Sequence, residues 1–383
     1  MKSTPNIAFF TYALDFGGTE RVVSLLANEM SNYFNTTIFV FYKHIDFPIN
    51  DSINIVSLSN DNETYKNSII SKAIDYKKFI FGYKKALIEH NIDVSISFLA
   101  LPNVINGFTK KRYPKIKTII SERCFPSKMY RGFVAKNLRK ILFKKYYNLN
   151  DVLFSNSEHI NEDLRQNFHL KINAEVIYNP IDFDEVDYAF TPYNSIDSFN
   201  VISVGRLIDV KNHLGTIEAI KLLNGSTNLK VFGNGPLREE LQKHIEKQGL
   251  ENKIVLHESI GNIKAELTKY HCFVLNSLTE GFPNALLEAM SVGLPVLATT
   301  CMSGPLELLN DNEPVEIQQG DFYKAKYGLL INVNDSVGLS KAIAFYKEHE
   351  KERETYSKSG FERAKHYDVK NIGNQLKQLI ESL

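Results

Sequence analysis

Four short stretches of this 383-residue chain combine residue types and spacings that could do chemistry. The sharpest is Glu280-Gly281-Phe282-Pro283-Asn284-Ala285-Leu286-Leu287-Glu288, two carboxylates with seven residues between them. It follows an apolar strand candidate at 273–275 and opens a helical pattern in which Pro283 suits the first helical position. Glycine and the main-chain amides around it make a positive, donor-rich helix start, suited to oxygen-rich anions or hydroxyls. Glu280 falls near the strand's carboxyl end, where it can reach into a cleft. Glu288 falls inside an otherwise apolar helix, where an unpaired carboxylate is costly. The plainer alternative is that Glu280 caps the helix and Glu288 faces water.

The second stretch is Gly205-Arg206-Leu207 followed by Lys211-Asn212, directly after a strand candidate at 201–204. An arginine and a lysine in one loop can clamp a diphosphate, the first as a fork and the second as a point charge. The plainer alternative is a solvated pair of surface cations. Gly17-Gly18-Thr19-Glu20 joins the first strand candidate to the first helix, and Gly233-Asn234-Gly235-Pro236 follows another strand. Either glycine pair lets backbone approach a phosphate, or simply makes a turn. Neither completes GxGxxG with an acidic residue about 20 positions on, which argues against a nicotinamide-dependent oxidoreductase. A noncatalytic sugar-nucleotide-binding protein is a further alternative; the retention of Arg206, Lys211, Glu280 and Glu288 counts against it.

The elements that must position these residues alternate between short apolar runs and longer amphipathic ones. Strand candidates lie at 7–10, 37–41, 94–98, 118–121, 152–155 and 176–178, with helical patterns such as 20–30 and 76–89 between them. After a polar, turn-rich stretch at 182–200 the alternation restarts, with strands at 201–204, 229–232, 254–257, 273–275 and 296–298 and helices at 214–223, 237–248 and 285–292. This predicts two doubly wound α/β domains, 1–181 and 182–366, facing each other across a cleft. An amphipathic helix at 367–383 is expected to cross back to the first domain.

Composition agrees with a globular chain: 43% hydrophobic, 23% charged and net charge +1, so no global field recruits nucleic acid. Cys124, Cys272 and Cys301 are scattered, with no CxxC and no metal spacing among the ten histidines. Neither a disulfide framework nor a metal site is expected. Reduced thiols, a short N-terminal apolar run and the lack of the roughly 18 to 20 apolar residues that span a bilayer predict a cytoplasmic protein.

Taken together, the stretches resemble the retaining GT-B glycosyltransferases of family 4. Glu280 and Glu288 match that family's E-x7-E motif; Gly205-Arg206-Leu207 with Lys211-Asn212, the GGTER start at Gly17, and FGNGP at Phe232 fall in its order. The resemblance implies a GT-B fold and a nucleotide-sugar donor, UDP-linked, carrying a hexose or N-acetylhexosamine. It implies that Arg206 and Lys211 bind the diphosphate, that Glu288 accepts from ribose hydroxyls, and that Glu280 with Gly281, Phe282, Pro283 and Asn284 holds the donor sugar. Gly18 and Gly233 would line the donor, the anomeric configuration would be retained, and no metal or other cofactor is implied. The family's usual first-domain histidine, after the strand at 118–121, is absent; the stretch reads Ser121-Glu122-Arg123-Cys124. Glu122 or Arg123 then contacts the donor sugar or acceptor, or the two form a structural ion pair.

Between 108 and 147 stand thirteen Lys or Arg against the single acidic Glu122, and MYRGFVAKNLRKILFKKYY mixes them with apolar residues. Such a basic amphipathic helix suits an anionic bilayer surface, at about 1 kcal/mol per cation, or else is a solvated face beside a core helix. ERCFPSKMY and CMSGPLELL resemble bacterial enzymes that extend glycans on undecaprenyl diphosphate. That likeness implies an undecaprenyl-diphosphate-linked or glycan acceptor and a peripheral position on the inner membrane.

Overall fold

The computed structural model describes residues 4–15, 17–59, 69–129, 133–183, 188–193 and 198–383, with the side chains of 69–78, 129 and 133–135 not described. The chain divides into two compact units: Met1–Pro180 with Val369–Leu383, and Ile181–Asp368. The division falls one residue before the expected 181/182 boundary and two after the expected 366/367 one.

The first unit is built on seven strands: β1 (Asn6–Thr11), β2 (Asn35–Val40), β3 (Asn54–Ser57), β4 (Val94–Phe98), β5 (Lys117–Glu122), β6 (Val152–Ser155) and β7 (Asn173–Val176). Their order is β3-β2-β1-β4-β5-β6-β7, with every neighbouring pair parallel. Ile7, Ala8, Phe9 and Phe10 on β1 are all fully buried, the mark of a strand covered on both faces. The C-terminal helix Val369–Glu381 buries Ile372, Leu376, Leu379 and Ile380 and packs on the helix Gly18–Met30 of this unit.

The second unit carries β8 (Phe199–Val204), β9 (Thr227–Phe232), β10 (Ile254–His257), β11 (Cys272–Leu275), β12 (Val296–Thr299), β13 (Phe322–Lys324) and β14 (Leu329–Ile331). The order is β10-β9-β8-β11-β12-β14-β13, parallel except for the antiparallel edge strand β13. Each sheet thus reverses its winding once, between β1 and β4 in the first unit and between β8 and β11 in the second. Open α/β sheets bind ligands at the carboxyl ends of the strands flanking that reversal.

The strand expected at 176–178 lies three residues earlier, as β7. Its first residues alternate exposed and half-buried at the sheet edge, so they lack the continuous apolar run of a central strand. Ile177 extends the pairing by donating its N–H to Ser155, and Pro180 stops it. The stretch expected as a linker, 182–200, runs two residues too far, since Phe199 and Asn200 already belong to β8; its residues 184–187 and 194–197 lie outside the described ones. Arg353, fully buried, donates to the Thr191 carbonyl at 2.9 Å and fastens part of that stretch to the second unit.

Candidate active site

In the second unit both predicted polar stretches leave the sheet at the reversal. Gly205–Lys211 follows β8, and Asn276–Glu280 follows its neighbour β11. The first loop alternates direction: Leu207 is fully buried in the core while Arg206 is exposed. Its backbone is held by the loop after β9, since Gly205 donates to Phe232 at 3.0 Å and Leu207 to Asn234 at 2.9 Å. A Cβ on Gly233 would sit 1.9 Å from the Gly205 carbonyl oxygen, so this close approach already accounts for that glycine.

A single 3-10 turn, Asp209–Lys211, carries the lysine, and Asn212 then adopts a left-handed φ of 49° and caps the helix His213–Lys221 through Gly215 N–H. Two bonds tie this turn to the loop after β11: Leu278 donates to the Val210 carbonyl at 2.8 Å and Asn276 Nδ2 to that of Asn212 at 3.4 Å. Lys211 Nζ therefore meets Glu280 Oε1 at 2.6 Å, with the side chains 22% and 9% exposed. Ser277 Oγ donates to the same oxygen, and Thr299 Oγ1, at the end of β12, holds the Ser277 carbonyl at 2.6 Å. Glu280 is thus an acidic partner of the cation loop, which overturns the helix-cap alternative: the cap position is Pro283.

Pro283 is extended and stands just before the helix Asn284–Ser291, one position earlier than expected. Phe282 and Pro283 are buried, and Ser303 Oγ bonds the Gly281 carbonyl at 2.6 Å. Glu288 is 6% exposed, which overturns the water-facing alternative. Among the described residues, no group of three or more His, Cys, Asp or Glu side chains is placed to hold a metal ion.

His213, which the sequence did not single out, is buried with Nε2 3.2 Å from the Arg206 carbonyl oxygen. Burial pushes its pKa down to about 4, with the Lys211 charge acting in the same direction and the carbonyls of Arg206 and Gly205 opposing. Ser277, three residues before Glu280, was likewise missed. The only sequence signals were position: one residue after the Lys-Asn pair, and one turn before the carboxylate.

The remaining candidates lie in the first unit. Gly18 is the first residue of its helix, after an extended Gly17 at the end of the loop from β1. At the end of β4, Leu99 takes φ 72°, a strained value for a residue with a side chain. Glu122 ends β5 and is 2% exposed; it accepts from Tyr147 Oη at 2.8 Å and from the Arg123 amide at 3.2 Å. Burial pushes its carboxyl up to about 7, against the lowering effect of these bonds. The buried Arg123 guanidinium turns to Asn179 Oδ1 and Ser121 Oγ, and burial brings it down to about 9. The two side chains are thus anchored to different partners: the carboxylate takes the Arg123 amide and the Tyr147 hydroxyl, the guanidinium takes Asn179 and Ser121, and the Glu122 charge acts on the guanidinium only to raise its pKa against burial.

In the basic region, residues 130–132 lie outside the described ones. The helix Phe133–Tyr146 divides its apolar residues: Phe143 is buried in the core, while Leu138 and Ile141 are 56% and 63% exposed beside Lys144 and Lys145. Lys110 is committed to Asp151 at 2.8 Å and Arg123 to the interior, so these two cations do not belong to a free basic face. No helix of the described residues is long and apolar enough to cross a membrane.

Comparison with known proteins places this geometry. A family model described as "Glycosyl transferases group 1" matches residues 194–363, which include the second unit's loops. The chain is 30% identical over 378 residues to N-acetylgalactosamine-N,N'-diacetylbacillosaminyl-diphospho-undecaprenol 4-alpha-N-acetylgalactosaminyltransferase of Campylobacter jejuni, covering 98% of this chain and 99% of that one. In fold it is similar to sucrose-phosphate synthase from Thermosynechococcus elongatus, with TM-score 0.81 and 17% identity over 99% and 98% of the two chains. It is also similar to Anabaena HepE in complex with UDP and glucose, with TM-score 0.75 and 18% identity over 98% and 99%. The fold is GT-B. A relative matched end to end at this identity settles membership: the chain belongs to the group 1 glycosyl transferases, and is an enzyme of glycosyl transfer, not a nicotinamide-dependent oxidoreductase or a noncatalytic binding protein.

Proposed function

We propose that the enzyme transfers a hexose or N-acetylhexosamine from a UDP-linked donor to an undecaprenyl-diphosphate-linked or polysaccharide acceptor, with retention of anomeric configuration, in bacterial surface glycan synthesis. The observation that carries the reading is the Lys211–Glu280 pair at the β8/β11 reversal, beside the exposed Arg206. A lysine and an arginine in one loop, with a carboxylate against the lysine, at the strand ends where such sheets take ligands, support a diphosphate beside a donor sugar there. The name of the Campylobacter jejuni relative, with its diphospho-undecaprenol acceptor and alpha-N-acetylgalactosaminyl group, supports the acceptor and sugar classes.

In this reading Arg206 and Lys211 stabilise the charge that grows on the diphosphate as the anomeric C–O bond breaks. The acceptor hydroxyl oxygen attacks the same face, and its proton passes to the departing diphosphate. These two cations supply the charge compensation, so no metal or cofactor takes part. Glu288 takes the ribose hydroxyls, and Gly281–Asn284 with Glu280 the sugar. Gly18, Glu122 and Arg123 serve the first unit's share, and Gly233 shapes the donor loop through its contact with Gly205. The exposed Leu138 and Ile141 among lysines support attachment of the 108–147 region to the anionic cytoplasmic face of the inner membrane.

A screen of UDP- and GDP-sugars for hydrolysis and for transfer to undecaprenyl-diphosphate-linked glycans tests this. Turnover of a UDP-linked donor that Glu280→Ala and Arg206→Ala each abolish is expected. Unchanged turnover in both variants overturns the site, and turnover of GDP-sugars alone overturns the donor.

A further inference from the structure

His213 is an odd residue to bury where it stands. Its Nε2 faces the Arg206 carbonyl oxygen at 3.2 Å, which makes that nitrogen the one bearing hydrogen. Nδ1 is then a buried acceptor, and among the described residues it has no hydrogen-bond partner. A buried acceptor left unpaired destabilises a fold, and an apolar residue would fill the same space without that penalty. The Nε2–H bond must therefore do something that packing alone does not.

Its surroundings show what. Lys211 and His213 close on Gly205: a Cβ built there would lie 3.5 Å from Lys211 Cγ and Cδ and 3.7 Å from His213 Nε2. Gly205 has no left-handed φ and no tighter neighbour, so the space there is not demanded by the chain's own packing. The lysine stem and the imidazole thus both line the loop residue that precedes Arg206.

We propose that His213 is a positioning residue for the diphosphate-binding cations, its Nε2–H holding the Arg206 peptide so that Arg206 and Lys211 address one ligand. This rests on the proposed nucleotide-sugar reading and adds a residue to it. A neutral ring is the form that works: protonation would put a hydrogen on Nδ1, where no acceptor waits, and the low pKa of the ring keeps it neutral across the physiological range.

Two variants of the full chain separate positioning from packing. His213→Gln keeps an N–H donor at nearly the distance of Nε2, whereas His213→Phe keeps a buried ring and loses the donor. Titration with UDP by calorimetry, with donor and acceptor KM measured separately, is the assay. His213→Phe is expected to weaken UDP about 2- to 12-fold, the worth of one hydrogen bond, and to raise donor KM while leaving acceptor KM unmoved. His213→Gln is expected to stay within about twofold of the unaltered protein, a smaller change than the loss of one bond. UDP binding unchanged in His213→Phe, or lost equally in both variants, overturns the proposal. If the unaltered chain binds no nucleoside diphosphate at all, it is the functional reading that fails, and that is seen before any variant is compared.

Discussion

Replacing Lys211 by Met keeps the length of the stem and removes only the charge, which makes two separable demands on the structure. Glu280 would keep the Ser277 hydroxyl but lose its ammonium partner at 2.6 Å, in a place where its side chain is only 9% exposed. Exposed pairs are worth about 0–1 kcal/mol, and stripping one partner from a fully buried pair costs about 3–5, so this half-buried pair should cost about 1–3 kcal/mol. In a unit of this size that lowers Tm by roughly 2–10 °C. The second demand is on the ligand: one charge-assisted contact to a diphosphate is worth about 1.5–3 kcal/mol, or about 12- to 140-fold in UDP affinity. The double variant Lys211→Met/Glu280→Gln tells the two apart. The amide it introduces is neutral and its oxygen still accepts from Ser277, so Tm should recover most of its loss while UDP affinity stays low. Thermal unfolding with and without UDP, on wild type, both single variants and the double, closes the cycle. If Lys211→Met binds UDP as the wild type does, or if the double variant is as unstable as the sum of the singles, the argument from this pair is refuted.

Two further outcomes follow from the same geometry. Gly233→Ala forces a methyl to within 1.9 Å of the Gly205 carbonyl and should cost about 3 kcal/mol or more, whereas Gly205→Ala meets nothing closer than 3.5 Å and should change stability by under about 0.5 kcal/mol; equal Tm values for the two would contradict the loop packing. Glu122 has a folded pKa of about 7 against the ordinary 4.5, so its buried form favours the proton: the stability it contributes is full below about 4.5 and is lost as pH rises through about 7. Glu122→Gln should therefore gain on the wild type between pH 5 and pH 8, by on the order of 2–3 kcal/mol, and a Tm difference that does not move with pH would sink the assignment.

Three strands could be read from sequence to the residue: β4, β6 and β10. β4 and β6 are buried along their whole length, as strands covered on both faces are, while β10 is an edge strand that leaves Val255 43% exposed and was legible from its apolar run alone. β3, β13 and β14 were not anticipated. Asn54–Ser57 is half-exposed along its length, and the other two have three residues each, too short for any period to show. The helices Ala100–Arg112 and Glu158–Phe168 escaped for a different reason: their buried faces carry Asn103, Asn106, Asn161 and Asp163, which read as surface until Ser97, Ser95, the Glu175 carbonyl and the Ser127 amide are seen to pair with them in turn.

The site divides along the same line between what local sequence encodes and what topology supplies. That Arg206, Lys211 and Glu280 stand at strand ends follows from where the apolar runs stop, and each was visible by that alone. That Lys211 and Glu280, 69 residues apart, form one pair follows from β8 and β11 being neighbours across the reversal of winding, a fact no local pattern contains. Nor does local pattern reveal how the pair is held: Asn212, Asn276 and Ser277 are ordinary loop residues, and Thr299 the last residue of a strand, until the strand order sets them together. A cation and a carboxylate close enough to neutralise each other gain little from an exposed contact and lose much when one is removed from a half-buried one. The pair is backed on the carboxylate side by the Ser277 hydroxyl, whose own carbonyl Thr299 holds, so the strand order that brings the two charges together also supplies the neutral bond that remains to Glu280 when the lysine's charge is taken away.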